Sequence, residues 1–182
     1  MSKNALIVID VQQGFDDESW WGPRNNPACE ENIRALLDHW RKKGEPVVLV
    51  RHDSNTPGSP LRPGQKGNDF KPGIDGAHDL LITKNVNSAF YGTPDLHQWL
   101  QQENISAVTI CGITTNFCCE TTARMAGNLG YDVTFVIDAT HAFNRETREG
   151  DIISAAGIAR TTAANLDGEF AQVKKTAELV GN

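Results

Sequence analysis

The sequence predicts a three-layer α/β/α sandwich built on a mainly parallel sheet of six strands. Short, continuous apolar runs are typical of strands buried on both faces, and they recur along the chain. Between them lie segments whose apolar residues repeat at helical spacing. This alternation indicates parallel strands connected by helices that cover both faces of the sheet. With 182 residues and no internal repeat or linker, the chain is expected to form one domain over 1–182.

The strands are predicted from apolar runs that end at polar residues or turns. In chain order they cover 5–9, 46–50, 80–83, 107–111 and 133–137, with a sixth strand at 158–162. A first strand is also the better interpretation of the N-terminal apolar run, because the run ends in Asp10 and no small-residue cleavage site follows.

The helices are predicted from apolar spacing and from residues typical of helix ends. They cover 28–43, 93–102, 118–129, 147–156 and 163–179. The first is stopped by Gly44, and the second is expected to start with Thr93 as N-cap and Pro94 as its first residue. The stretches 12–26 and 54–76 are Gly- and Pro-bearing and irregular, and loops this long usually serve a site.

Composition excludes several classes of protein. A formal net charge of −6 argues against a nucleic-acid or anionic-membrane surface. No apolar run approaches the roughly 20 residues needed to span a bilayer. The four cysteines contain no C-x-x-C pair, so a disulfide scaffold or zinc knuckle is not expected. This pattern of cysteines is best explained by reduced thiols in a cytoplasmic protein.

Polar residues follow several strands, where ligands bind in parallel sheets. Asp10, Lys84 and Cys118 make chemical sense together, because a carboxylate can accept a thiol proton and an ammonium stabilises both anions. Cys118 also falls at a predicted helix start, where the helix dipole favours the thiolate. Each residue has a plainer interpretation: a loop-capping Asp, a solvated Lys and a packed Cys.

The corresponding mechanism is nucleophilic catalysis. Cys118 would attack a carbonyl, and the backbone N–H groups of Thr114 and Cys118 would hold the oxyanion. Asp10 would pass the proton to the leaving amine or ammonia and then activate the water that hydrolyses the thioester.

Three segments resemble, in order, the motifs of the isochorismatase-like cysteine hydrolases, a family that includes nicotinamidases. They are MSKNALIVIDVQQGF, ITKNVNSAFYGT and GITTNFCCETTARMA, and the resemblance runs from about Leu6 to Phe170. It implies an Asp10–Lys84–Cys118 triad and a cis peptide before Thr114 that forms the oxyanion hole. It also implies association of the chain as a homodimer or homotetramer.

The register of the motif selects Cys118 over Cys119, which takes the place of the family's usual Val. Helix-start neighbours point about 100° apart, so only one of the two faces the site. The D-x-H…H metal pattern of the family's nicotinamidases is absent: His52 and Asp53 stand in inverted order, with no second His nearby. We therefore expect no metal, no other cofactor and little nicotinamidase activity.

The sequence predicts a cysteine amidohydrolase that cleaves a C–N bond of a small amide, ureide or carbamate. Two alternatives stay open: a vinyl-ether hydrolase that does not use the thiol, and a non-catalytic binding protein that keeps the fold. Trp20 and Trp21 fit substrate contact and packing against the core or a partner subunit equally well. The candidate substrate-binding residues are Phe15, Trp20, Trp21, His52, Asn85, Phe90, Tyr91 and Asn116.

Overall fold

A computed structural model describes residues 3–181, so Met1, Ser2 and Asn182 of the predicted domain lie outside the described residues. Its centre is a six-stranded sheet. Across the sheet the strands lie in the order β3 (Leu80–Lys84), β2 (Val47–His52), β1 (Lys3–Ile9), β4 (Ile105–Ile113), β5 (Asp132–His141) and β8 (Gln172–Lys174). All neighbouring strands are parallel, which confirms the predicted fold class.

Helices cover both faces of this sheet. They are α1 (Glu18–Trp21), α2 (Cys29–Lys43), α3 (Leu96–Gln102), α4 (Glu120–Asn128), α5 (Ala155–Leu166) and α6 (Thr176–Val180). Along β1, Leu6 and Val8 pack with Ile33 of α2 on one face, while Ile7 and Ile9 pack with the helices of the other face. Side chains alternate across a strand, so a continuous apolar run serves both layers. Within the described residues, no helix is long and apolar enough to cross a membrane.

The first helix of the predicted set is confirmed, and the start of the next one is corrected. α2 ends at Gly44, which has φ +65 and a backbone N–H that bonds the last turn. The N-cap of α3 is Asp95 rather than Thr93, because the Asp95 carboxylate accepts a hydrogen bond from the Gln98 N–H at 2.9 Å. The bond between Thr93 and Pro94 is cis, and both residues precede the helix.

The segment after β5 differs most from the prediction. The predicted helix over 147–156 is a turn flanked by a two-residue antiparallel pair, β6 (Arg145–Glu146) and β7 (Ile152–Ile153). Gly150, with φ +93, forms this turn. Ser154 then caps α5, since its hydroxyl accepts from the Gly157 N–H at 3.1 Å.

The predicted sixth strand over 158–162 lies inside α5. The buried residues of this helix, which recur at helical rather than strand spacing, are Ala155, Ala159, Thr162 and Leu166. The sixth strand is β8, and the predicted helix over 163–179 is divided into the end of α5, β8 and α6. Small residues and threonines give a weak periodic signal, which explains the wrong assignment.

Candidate active site

The candidate site lies where the order of the strands reverses. The chain runs from β1 through β2 to β3 on one side, and then returns to place β4 on the other side of β1. The crevice beyond the carboxyl ends of two such strands is where ligands bind in open α/β sheets. Asp10 follows β1 and Cys118 follows β4, so the topology itself brings these two side chains together.

The three residues of the predicted triad are in contact. The Lys84 Nζ lies 2.5 Å from the Asp10 Oδ2 and 3.4 Å from the Cys118 Sγ. The side chains of Lys84 and Asp10 are fully buried. The low dielectric around this ion pair strengthens its interaction, and removing either partner would leave an isolated charge in the interior.

The backbone at both sides of the crevice is unusual. Asp10 has φ 52, a left-handed conformation that non-glycine residues rarely adopt and that often marks functional sites. Cys118 belongs to a π-helical turn over Thr115–Cys119 and therefore precedes α4. The peptide bond between Ile113 and Thr114 is cis, as the family resemblance implies.

Gly112 allows β4 to approach β1 next to Asp10. It has φ +129, and a Cβ atom there would lie 2.1 Å from the Ile9 carbonyl oxygen. We expect Gly112→Ala to lower the free energy of unfolding by about 2–4 kcal/mol, from overpacking together with the left-handed backbone. Chemical denaturation measures this. Gly130→Ala is the matched control, since Gly130 has φ +89 and open space around it. An equal loss in both variants would contradict the role of the close contact.

Electrostatics keep the resting thiol protonated. Burial raises the pKa of Cys118, the Asp10 carboxylate raises it further, and Lys84 only partly lowers it. Burial therefore outweighs the helix dipole and the ammonium, the two effects that favour the thiolate. Burial lowers the pKa of Lys84, but Asp10 and Cys118 outweigh this effect and the pKa is raised. The lysine is thus an ammonium, and sulfur attack requires a base.

One oxygen of Asp10 is suited to be that base. Its Oδ2 is paired with Lys84, whereas its Oδ1 is buried and has no hydrogen-bond partner among the described residues. A buried carboxylate oxygen without a donor is costly, and at functional sites it often awaits a proton or a ligand. The Cys118 Sγ lies within 4.8 Å of a carboxylate oxygen of Asp10, so the thiol is the nearby group whose proton this carboxylate could accept.

A cavity of about 260 Å³ opens onto the sulfur. Its walls are mainly apolar, with a few polar groups close to Cys118, as in most small-molecule sites. The lining residues are Asp10, Phe15, Trp21, His52, Leu61, Asn87, Thr114, Phe117 and Cys118. The cavity thus includes the triad residues Asp10 and Cys118 and both residues predicted to form the oxyanion hole.

The loop over 12–26 forms one wall of this cavity and is firmly anchored. The ring of Trp21 stacks on Phe143 at 5.5 Å and lies 4.8 Å from the ring of Phe15. The buried Lys71 Nζ contacts Asp16 at 2.5 Å and Glu30 at 2.6 Å. Aromatic stacking and these ion pairs therefore determine the path of the loop.

Five of the predicted substrate-binding residues lie outside the cavity lining. Trp20 is 45% exposed, and its ring lies edge-on to that of Trp21 with 6.4 Å between the ring centroids. Phe90 is buried in the core against Tyr131. Asn85 and Tyr91 border a separate polar depression. Asn116 lies in the π-helical turn and is not one of the residues that line the cavity.

Three cavity residues were absent from the predicted set. Phe117 directly precedes the cysteine, and Asn87, whose Oδ1 lies 3.8 Å from the Cys118 Sγ, stands three residues after Lys84 within the quoted lysine segment. Both residues lie within the quoted motif segments, and this position is a signal that could have identified them. Leu61 comes from the irregular loop over 54–76, whose path no sequence pattern indicates.

Three groups in the site could in principle ligate a metal. Asp10, His52 and Cys118 offer ligand atoms within 4.8 Å of one another. The Lys84 ammonium, however, contacts all three, with the His52 Nδ1 at 3.2 Å. This resident cation occupies the position between the ligands, so a divalent ion would have to displace it.

Comparisons with known proteins identify the family. Residues 4–165 match the model of the isochorismatase domain. The isochorismatase family protein YrdC of Bacillus subtilis is 41% identical over 99% of this chain and 96% of its own. Nicotinamidase 3 of Arabidopsis thaliana is 32% identical over 84% of this chain and 80% of its own.

A solved structure of an isochorismatase-family protein from Chromobacterium violaceum superposes with a TM-score of 0.92. It is 40% identical and covers 98% of this chain and 92% of its own. Fold, topology and sequence thus agree over nearly the whole length, and the chain belongs to the isochorismatase family and is a hydrolase of that family.

Proposed function

We propose that this hydrolase is a cysteine amidohydrolase that cleaves a C–N bond of a small amide, ureide or carbamate. The observation that carries the proposal is the contact of one buried ammonium with both a carboxylate and a thiol at a cavity. Lys84 holds Asp10 and Cys118 in that arrangement at 2.5 Å and 3.4 Å. Similarity to Nicotinamidase 3 supports an amide as the type of bond.

The first half of the proposed reaction forms a thioester. The Cys118 sulfur attacks the substrate carbonyl while its proton passes to the Asp10 Oδ1. The backbone N–H groups of Thr114 and Cys118 donate to the oxyanion. Collapse of the tetrahedral intermediate breaks the C–N bond, and Asp10 returns the proton to the departing amine or ammonia.

The second half regenerates the enzyme. Asp10 takes a proton from water, and the resulting hydroxide adds to the thioester carbonyl. The sulfur leaves with the electron pair and recovers its proton, giving the free acid. No step needs a metal, because Lys84 provides the positive charge beside the reacting groups.

The cavity favours a small neutral substrate. Its apolar walls, formed in part by Phe15, Trp21 and Phe117, would remove apolar surface from water, and its volume is about 260 Å³. We further propose that the enzyme is cytoplasmic and acts as a homodimer or homotetramer. The partly exposed rings of Trp20 and Phe117 support association.

A panel of small amides, ureides and carbamates, assayed by release of ammonia or amine, tests the function. We expect at least one compound to be hydrolysed by the wild type and to be inert with Cys118→Ala, the matched control against contaminating activity. If the folded protein hydrolysed no compound of the panel, this result would contradict the amidohydrolase assignment. Hydrolysis of a vinyl ether instead would favour the thiol-independent alternative.

A further inference from the structure

The Lys84 ammonium has a partner for each of its three N–H donors. Two are the Asp10 Oδ2 and the Cys118 Sγ, and the third is the Nδ1 of His52, at 3.2 Å. An ammonium can only donate hydrogen bonds, so the His52 Nδ1 must accept with its lone pair. In a neutral imidazole with an accepting Nδ1, the proton is on Nε2. Lys84 therefore fixes the tautomer of His52.

The backbone of His52 is held from two sides. Its N–H donates to the Gln12 Oε1 at 2.8 Å, and its carbonyl accepts from the Gln12 Nε2 at 3.0 Å. The same carbonyl accepts from the Asn68 Nδ2 at 3.1 Å. Gln12 is fully buried and Asn68 nearly so. These buried amides fix the backbone from which the imidazole projects, and the contact with Lys84 holds the ring itself.

His52 lines the cavity beside Cys118 and has one N–H left to donate. We propose that His52 is a specificity-determining residue: its Nε2–H donates to a second acceptor on the substrate, a carbonyl oxygen or ring nitrogen beyond the scissile carbonyl. The substrate class then narrows to C–N compounds that carry such an acceptor. This inference rests on the proposed amidohydrolase function.

The charges around the ring agree with a neutral imidazole. Burial lowers the pKa of His52 and the neighbouring Lys84 lowers it further, while Asp10 and Asp53 oppose this and do not reverse it. Asp53 is itself paired with Arg51 at 2.8 Å, which weakens its pull on the ring. At neutral pH the ring is therefore uncharged, as an accepting Nδ1 requires.

Two substitutions distinguish the roles of the two ring nitrogens of His52. In His52→Asn the amide oxygen can replace Nδ1 as the acceptor for Lys84, but the reach to the position of Nε2 is lost. In His52→Gln the longer amide can replace the Nε2–H donor, but the acceptor for Lys84 is lost. The readout is the ratio of kcat/KM for a substrate with the second acceptor to that for its isostere without it. We expect this ratio to fall about 10–100-fold in His52→Asn, mainly through KM, and to be largely kept in His52→Gln. An unchanged ratio in His52→Asn would overturn the proposal.

A measurement without substrate tests the tautomer independently of any activity. Nitrogen-15 NMR of the histidine rings, with His52 assigned by its disappearance in His52→Gln, is expected to show a neutral ring protonated at Nε2 at pH 7. In Lys84→Met the ammonium that donates to the His52 Nδ1 is removed, and a mixture of the two neutral tautomers of His52 is expected. A ring protonated at Nδ1, or an imidazolium, in the wild type would overturn the proposal even if the substrate panel succeeds. If the expected tautomer were found but no compound of the panel were hydrolysed, the proposed function would be wrong and the tautomer assignment would stand.

Discussion

Cys118→Ala is expected to lower kcat/KM by at least about 10³-fold on any compound that the wild type hydrolyses. The sulfur is the atom that forms the thioester, and alanine leaves no nucleophile at the cavity. The residual rate would come from Lys84, Asp10 and the backbone donors, which still bind and polarise the substrate. Steady-state kinetics measure the loss, and rapid-quench mass spectrometry of the wild type is expected to show an acyl adduct on Cys118.

Cys119→Ala is the matched control for this substitution. Cys119 is fully buried in the apolar cluster of α4 and β5, and burial raises the pKa of its thiol well above the ordinary value. The Cys119→Ala variant should retain turnover within a few-fold of the wild type. Its free energy of unfolding should fall by about 1 kcal/mol from the lost packing. If Cys118→Ala kept full turnover, the ether-hydrolase mechanism, with Asp10 and Lys84 acting alone, would replace the one proposed.

Lys84→Met is expected to damage both stability and activity. The side chain of Lys84 is fully buried against Asp10, so methionine leaves a carboxylate without a partner in the interior. Breaking a buried ion pair by removing one partner costs about 3–5 kcal/mol. Turnover should fall by roughly 10²–10⁴-fold, because the positive charge that contacts both Asp10 and Cys118 is lost from the site. Chemical denaturation and steady-state kinetics measure the two effects.

The double variant Asp10→Asn with Lys84→Met separates the two effects. Removing both charges should recover most of the lost stability, since no unpaired ion remains, while turnover stays as low as in the single variant. Lys42→Met, at an exposed position on α2, is the control lysine and should change stability by no more than about 0.5 kcal/mol. Equal stability of Lys84→Met and Lys42→Met would show that the buried pair contributes nothing.

Much of the fold could be predicted because the signals are local. The five strands β1 to β5 contain short apolar runs, most of them buried, and each falls within a few residues of its predicted position. The helix α2 follows from the spacing of its apolar residues and from Gly44. From β5 onwards these signals fade, because the buried face of α5 consists of alanine, threonine and a single leucine. The boundaries there depend on packing against β8, which no local pattern contains.

The three side chains proposed to be catalytic could be predicted to lie together for a physical reason. Asp10, Lys84 and Cys118 each follow or end a parallel strand, and parallel strands present their carboxyl ends at one edge. Residue type and position at strand ends, which are both visible in the sequence, therefore predict these residues and the edge of the sheet that they share. The sequence did not indicate which aromatic residue faces the cavity, because Trp20 and Trp21 are neighbours. The contacts of the Trp21 ring with Phe15 and Phe143 distinguish the two.

The sequence by itself determined the layered α/β architecture and the family and predicted the residues of the proposed reactive centre, because each depends on residue type and spacing. The tertiary structure alone decided the protonation of that centre. Burial keeps the Cys118 thiol protonated and the contact with Lys84 assigns the proton of His52, and both effects arise from groups that lie far apart in the chain. Electrostatic energies depend on distance and solvent exposure in three dimensions, and neither quantity can be read from the order of the residues.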